Sequence, residues 1–93
     1  MIRSFRNKVA EAAWLRRYVK GVPLEVIRIG QRKLTQLHSA RALDDLRAPP
    51  GNRLELLSGD RRGQHSIRIN DQWRVCFRWQ GGDAHDVEIV DYH

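Results

Sequence analysis

Two sets of side chains in this sequence could do chemistry: the arginines Arg61, Arg62, Arg68, Arg74 and Arg78, and the run Asp91-Tyr92-His93. A guanidinium fork matches phosphate in shape and charge, but with a pKa above about 12 it carries no proton. Proton movement at a phosphate falls to the other set, which offers a carboxylate, a stackable phenol and an imidazole that titrates near neutrality. Together they are tools for acting on a phosphodiester.

The two sets meet only if this part of the chain is a sheet. From Ser66 to Trp79 the apolar residues Ile67, Ile69, Trp73, Val75, Phe77 and Trp79 occupy odd positions, the alternation of strands with one buried face. A three-residue loop, Asn70-Asp71-Gln72, keeps the two halves in phase. It pairs Ile69 with Trp73, Ile67 with Val75 and, on the opposite face, Arg68 with Arg74. Like charges directly opposite cost a few tenths of a kcal/mol, up to about 1, so this pair points to an anionic partner such as phosphate. A second three-residue turn, Gly81-Gly82-Asp83, pairs Phe77 with Val87, Val75 with Ile89, Arg78 with Asp86 and Arg74 with Val90. Tyr92 then lies diagonal to Arg74, and the final strand delivers Asp91, Tyr92 and His93 to the arginines.

The elements upstream supply the cover. Residues 2–5 read as a short strand, and Asn7 caps a helix over 8–20 that buries Val9, Ala12, Ala13 and Val19 and ends at Gly21. Pro23 opens a second helix, 23–38, with Ile27, Leu34 and Leu37 at helical spacing. Ser39 caps a short third helix, 40–46, that turns Leu43 and Leu46 inward. Pro49-Pro50-Gly51-Asn52 breaks the chain, and strands follow over 53–57, 64–69, 73–80 and 84–92. Helices followed by an antiparallel meander define an α+β fold, with the N-terminal helices on one face of a twisted antiparallel sheet and the other face partly open, carrying the arginines. With no linker or repeat, 93 residues make a single domain, 1–93, with one active or binding surface.

Seventeen Lys and Arg against eleven Asp and Glu give a net charge of +6 and a pI near 10.4, which favours a polyanionic partner bound salt-dependently. The lone cysteine, Cys76, rules out an internal disulfide, and His38, His65, His85 and His93 are too scattered for a zinc site. No Walker loop, dinucleotide turn or nucleophile elbow is present, so no metal or cofactor is expected. Trp14 reads as core or helix surface, Trp73 and Trp79 as core of the sheet, His65 as a partly buried spacer, and Ser58 has no base beside it. No signal peptide or run of membrane-spanning length is visible, so the expected location is the cytoplasm, with no membrane partner.

Ile2-Arg3-Ser4-Phe5, Gly51-Asn52-Arg53-Leu54-Glu55, Gly59-Asp60-Arg61 to Gly63, Ser66 through Arg78 and the closing Asp91-Tyr92-His93 occur in an order that resembles the HigB toxins. These are a branch of the RelE/ParE superfamily of bacterial type II toxin-antitoxin systems. The resemblance covers essentially the whole chain. It implies a RelE-like, microbial-ribonuclease-like fold and a ribosome-dependent endoribonuclease that cuts messenger RNA in the A site and so inhibits translation. It also implies a HigA-type helix-turn-helix antitoxin, through which the toxin meets operator DNA only indirectly. Carried onto this sequence, the catalytic positions are Arg74, His93, Tyr92, Asp91 and Arg68, while Arg61, Arg62, Arg78, Asn70 and Gln72 are expected to contact RNA. The implied reaction is attack of a ribose 2′-hydroxyl on the adjacent phosphodiester, giving a cyclic phosphate and a free 5′-hydroxyl. Many relatives read Leu-Lys-Gly-Asp where this chain reads Leu57-Ser58-Gly59-Asp60, so one cation near the phosphate is absent. Two alternatives stand beside this reading: a non-enzymatic inhibitor of DNA gyrase, as in the ParE branch, and a weakened toxin acting mainly as an antitoxin-binding partner.

Overall fold

The computed structural model describes residues 1–92. Two helices, α1 (Lys8–Trp14) and α2 (Leu24–Ser39), cover one face of a four-stranded antiparallel sheet in the order β1 (Glu55–Leu56), β2 (His65–Arg68), β3 (Trp73–Gln80), β4 (Asp83–Asp91). Among the described residues no helix is long and apolar enough to cross a membrane.

Asn7 caps α1, its Oδ1 accepting from the Ala10 N–H at 3.0 Å. The same side chain donates to the Ile89 carbonyl at 2.9 Å and so fixes the helix start against β4. The expected strand over 2–5 is reduced to two isolated parallel bridges along β4, Ile2 with Ala84 and Phe5 with Val87. The first helix stops six residues short of the expected Lys20, and Arg16 turns the chain with a φ of 58°. Its buried stripe explains the stop: Ala10 and Ala13 are fully buried, and one further turn would carry Arg17 into that stripe. Pro23 is the N-cap of α2 rather than its first residue.

Val26, Ile27, Gly30, Leu34 and Leu37 form the buried face of α2. Gly30 lets this helix sit close to the sheet, since a Cβ there would lie 2.9 Å from the Ile89 Cδ1. Ser39 ends α2 instead of capping a third helix, and the next turn is a 3-10 segment, Leu43–Arg47. The Asp45 carboxylate starts that turn by accepting from the Arg41 and Ala42 N–H groups at 3.0 and 3.1 Å, bonds that hold its pKa below the usual value. The proline-rich breaker contains a single 3-10 turn, Pro50–Asn52. Arg53 follows with a φ of 45°, which shortens the expected strand over 53–57 to Glu55–Leu56.

The β2–β3 register is the expected one, with Ile67 opposite Val75 and Arg68 opposite Arg74. Between β3 and β4, Val75 faces Ile89 and Arg74 faces Val90, also as expected. Nearer the turn the register differs: Arg78 faces His85, not Asp86, and Gln80 faces Asp83. The turn is the two-residue Gly81-Gly82, with φ values of 61° and 80°, the left-handed pair that a tight hairpin requires. A bulge at Asp86, whose φ is 52°, restores the phase. It also accounts for the even-numbered Ala84 being wholly buried alongside Val87 and Ile89.

Candidate active site

Glu55, Ser66, Cys76 and Glu88 form one row across all four strands on the face away from the helices. This face is not the partly open surface expected, because Ser66 and Cys76 are fully buried and Gln64 and Glu88 nearly so. The cover comes from the loop between β1 and β2. It makes a 3-10 turn, Gly59–Arg61, from which Arg61 reaches across the sheet to Glu88, with an Nη1 to Oε1 distance of 2.5 Å, and donates to the Gln64 Oε1 at 3.2 Å. Glu88 raises the pKa of Arg61 further. A cavity of about 350 Å³ lined by Arg6, Asp60, Arg61, Gln64 and Glu88 opens beside this pair.

Arg74 is held at the other end of the row. Its side chain is 14% exposed and pairs with the Glu55 carboxylate at 3.3 Å. Nη1 also donates to the Ser66 hydroxyl, and the Tyr92 ring centroid lies 5.9 Å from the guanidinium carbon. That separation is a cation–π contact, worth about 0.5–1 kcal/mol at an exposed site. Two arginines, each on a carboxylate, thus flank Cys76, whose thiol is pushed up to about 11 chiefly by burial. It is a neutral filler at neutral pH.

The end of β4 is tied down by the hairpin loop. The Tyr92 N–H donates to the Gln72 carbonyl at 2.7 Å, and the Gln72 side-chain amide donates to the Asp91 carboxylate at 2.8 Å. Tyr92 therefore sits beside Arg74 by construction, while His93 lies outside the described residues.

The remaining expected site residues have other partners. Arg68 pairs with Asp71 in the loop, so its guanidinium does not share the Glu55 site with Arg74. Arg78 stands 3.8 Å from Asp86 and packs against Gly63, where a Cβ would come within 2.9 Å of its Nη1. The Asn70 side chain accepts from the Gln72 and Trp73 N–H groups at 2.9 and 2.8 Å and so builds the turn. Arg62 is exposed. Sequence reasoning missed Glu55, Ser66 and Glu88. Alternation alone puts Ser66 beside Arg68 on the polar face, but the ion pairs come from a loop whose path no periodicity specifies.

The chain is similar to several known proteins. The Proteus vulgaris protein named endoribonuclease HigB is 34% identical over the full length of both chains. Toxin HigB-1 of Vibrio cholerae is 53% identical over 53 residues, which span 57% of this chain and 56% of that protein. A Haemophilus influenzae protein without an assigned function is 30% identical over 73% of this chain. The family described as the RelE-like toxin of type II toxin-antitoxin system HigB matches residues 3–93. With its helices on a four-stranded antiparallel sheet and the match running almost from end to end, this chain belongs to the HigB family of RelE-like toxins.

Proposed function

We propose that this HigB-type endoribonuclease toxin is a single catalytic unit over residues 1–93 that cuts messenger RNA in the ribosomal A site. A cognate antitoxin follows from membership of a type II system. In this reading it is a helix-turn-helix protein of the HigA type, operator DNA is met through it alone, and the pair works in the cytoplasm.

The observation that carries the reading is the largely buried Arg74 guanidinium, fixed by Glu55 and Ser66 with Tyr92 at its side. A cation held in this way can stabilise charge as it develops on phosphorus without reorganising at the moment of reaction. The ribose 2′-oxygen forms a bond to phosphorus and gives its proton to a base, and the bond from phosphorus to the 5′-oxygen breaks. The products are a 2′,3′-cyclic phosphate and a 5′-hydroxyl, the 5′-oxygen having taken up a proton. Arg74 bears the charge of the phosphorane, and His93 moves protons. Glu55, 3.3 Å from Arg74, is a carboxylate at the same point, and Tyr92 offers a face for a base to stack on.

The ribosome is needed because so small a cleft does not by itself align the 2′-oxygen, phosphorus and leaving oxygen. The test is to map message ends in a translating extract with added protein, and on the same RNA without ribosomes. Codon-spaced cuts that require ribosomes are expected. Equal cutting of naked RNA, or gyrase-dependent DNA breaks in place of RNA cuts, would reject the reading.

A further inference from the structure

A second basic groove lies between α2, the Pro50–Asn52 turn and the end of β2. Its volume is about 340 Å³, and it is lined by Ile29, Arg32, Lys33, Gly51, Arg68 and Ile69 among others, with no carboxylate in its lining. Lys33 is not a swinging surface lysine. Its ammonium donates to the Oδ1 of Asn52, which is fully buried and donates its own amide protons to the carbonyls of Leu46 and Ala48 at 3.1 and 3.2 Å. Arg32 is exposed and has no ion pair among the described residues. Arg68 enters from the sheet, bonded to Asp71, whose side chain is 99% exposed.

These three cations crowd one another. Lys33 has its pKa lowered by burial first, then by the charges of Arg32 and Arg68. Gly51 leaves one wall open, for a Cβ there would meet nothing within 4 Å.

We propose that this groove binds a backbone phosphate of RNA through Arg32, Lys33 and Arg68, as an anchoring site distinct from the Arg74 centre. The inference rests on the ribosome reading and extends it. Lys33 held by Asn52, Arg68 held by the outlying Asp71 and an Arg32 without an ion pair among the described residues, with no carboxylate in the groove lining, suit a phosphate. The groove's apolar Ile69 is only 6% exposed. The exposed apolar side chains that a protein partner would seek line other parts of the surface: Leu15 and Tyr18 between the helices, Leu24 at the start of α2, Met1 at the N-terminus and Leu56 on β1, none of them in the groove lining. The groove also adjoins the active face: Arg68 is the direct cross-strand partner of Arg74, at a Cα separation of about 5 Å for such pairs. One RNA surface passing the end of the β2–β3 hairpin can therefore meet both sites.

The test measures binding of the full chain to ribosomes programmed with a message that carries a 2′-deoxy sugar at the cut site, over a series of salt concentrations. Arg32→Glu is expected to weaken binding at least tenfold and to flatten the plot of log K against log salt, by about 0.7–0.9 for each phosphate that is no longer neutralised. Asp71→Asn, which frees Arg68, is expected to tighten binding several-fold. Parallel titration with a free RNA hairpin reads the groove independently of the ribosome, and cleavage of a normal message by wild type reads the active site independently of the groove. If wild type fails to cut while both variants shift hairpin binding as stated, the ribonuclease reading falls and the groove stands. Wild-type affinity and salt slope for Arg32→Glu in both titrations overturn the proposal. So does loss of antitoxin affinity in that variant with RNA binding intact, which assigns the groove to a protein partner.

Discussion

Arg68 and Arg74 face each other across β2 and β3, yet their guanidinium groups bond to different carboxylates, Asp71 and Glu55. The like-charge pair is thereby relieved within the protein, and each arginine faces its own part of the surface. Of the two, Arg74 has the Tyr92 ring beside it, and the proposed chemistry centres there.

Arg74→Lys keeps the charge but replaces the planar guanidinium, whose Nη1 meets both Glu55 and Ser66, with a compact ammonium on a flexible stem. Single-turnover cleavage on programmed ribosomes is expected to fall about 10²- to 10³-fold, the loss typical of one stabilising donor. Glu55→Gln separates two roles for its carboxylate. A drop of about 10² or more in rate at saturation marks a proton acceptor, whereas a change confined to half-saturation marks a residue that only positions Arg74. Thermal melts of both variants check the fold.

Deleting His93 removes an imidazole and leaves Arg74, Glu55 and Tyr92 in place. The expected result is ribosome binding near the wild-type level with cleavage slowed about 10²- to 10⁴-fold. A rate within a few-fold of wild type would move the proton to Tyr92, Asp91, Glu55 or the ribosome.

Ser58 is exposed and directly precedes the Gly59–Arg61 turn that carries Arg61 over the sheet. Ser58→Lys adds a cation at the rim without disturbing the core, and cleavage is expected to rise several-fold. Unchanged cleavage with an intact fold would mean that Arg61 or Arg62 already supplies the charge.

Asp83 accepts from Arg3 at 3.0 Å and from the N-terminal ammonium at 3.2 Å, contacts that lower its pKa. A carboxyl depressed in the folded state contributes stability above its unfolded pKa of about 3.9 and loses it as pH falls through the lower folded value. Asp83→Asn is therefore expected to melt below wild type at pH 7, with the two melting temperatures converging as the solution is acidified through the unfolded carboxyl value and on below the depressed folded one. A gap that persists in acid would show that the loss comes from something other than charge.

Cys76 is fully buried with its thiol pushed up to about 11. Alkylation at pH 7 to 8 is expected to follow global unfolding, with no fast phase in the native protein. Rapid native labelling would mean that the loop carrying Arg61 opens independently. The raised thiol also sets a sign: folded protein holds this proton where the unfolded chain has lost it, so stability falls as pH rises from about 9 toward 11.

Period-2 alternation specified the strands and the Arg68–Arg74 pairing, because one buried face permits only one phase. The same rule misjudged the β3–β4 turn. A three-residue loop and a two-residue loop followed by a bulge give the same register beyond the bulge, and only the left-handed Asp86 distinguishes them. The placement of Arg74 opposite Arg68 was legible because both stand on regular strands. The partners of Arg61 and Arg68 were not, since those ion pairs depend on irregular loops. Asn52 escaped notice for a related reason: among breaker residues it reads as a turn former, and its burial arises only once α2 and the 3-10 turns close around it.

The bonds that join Arg3, Arg6 and Asn7 to β4 connect residues about eighty positions apart, the Asn7 to Ile89 contact having a separation of 82. While a ribosome is making this chain, the opening segment and α1 have no edge to dock on until β4 has emerged. Tyr92, which flanks Arg74, is added later still. A nascent chain shorter than that holds the arginines but lacks the ring that flanks Arg74, so the cluster around Arg74 closes only once β4 is complete.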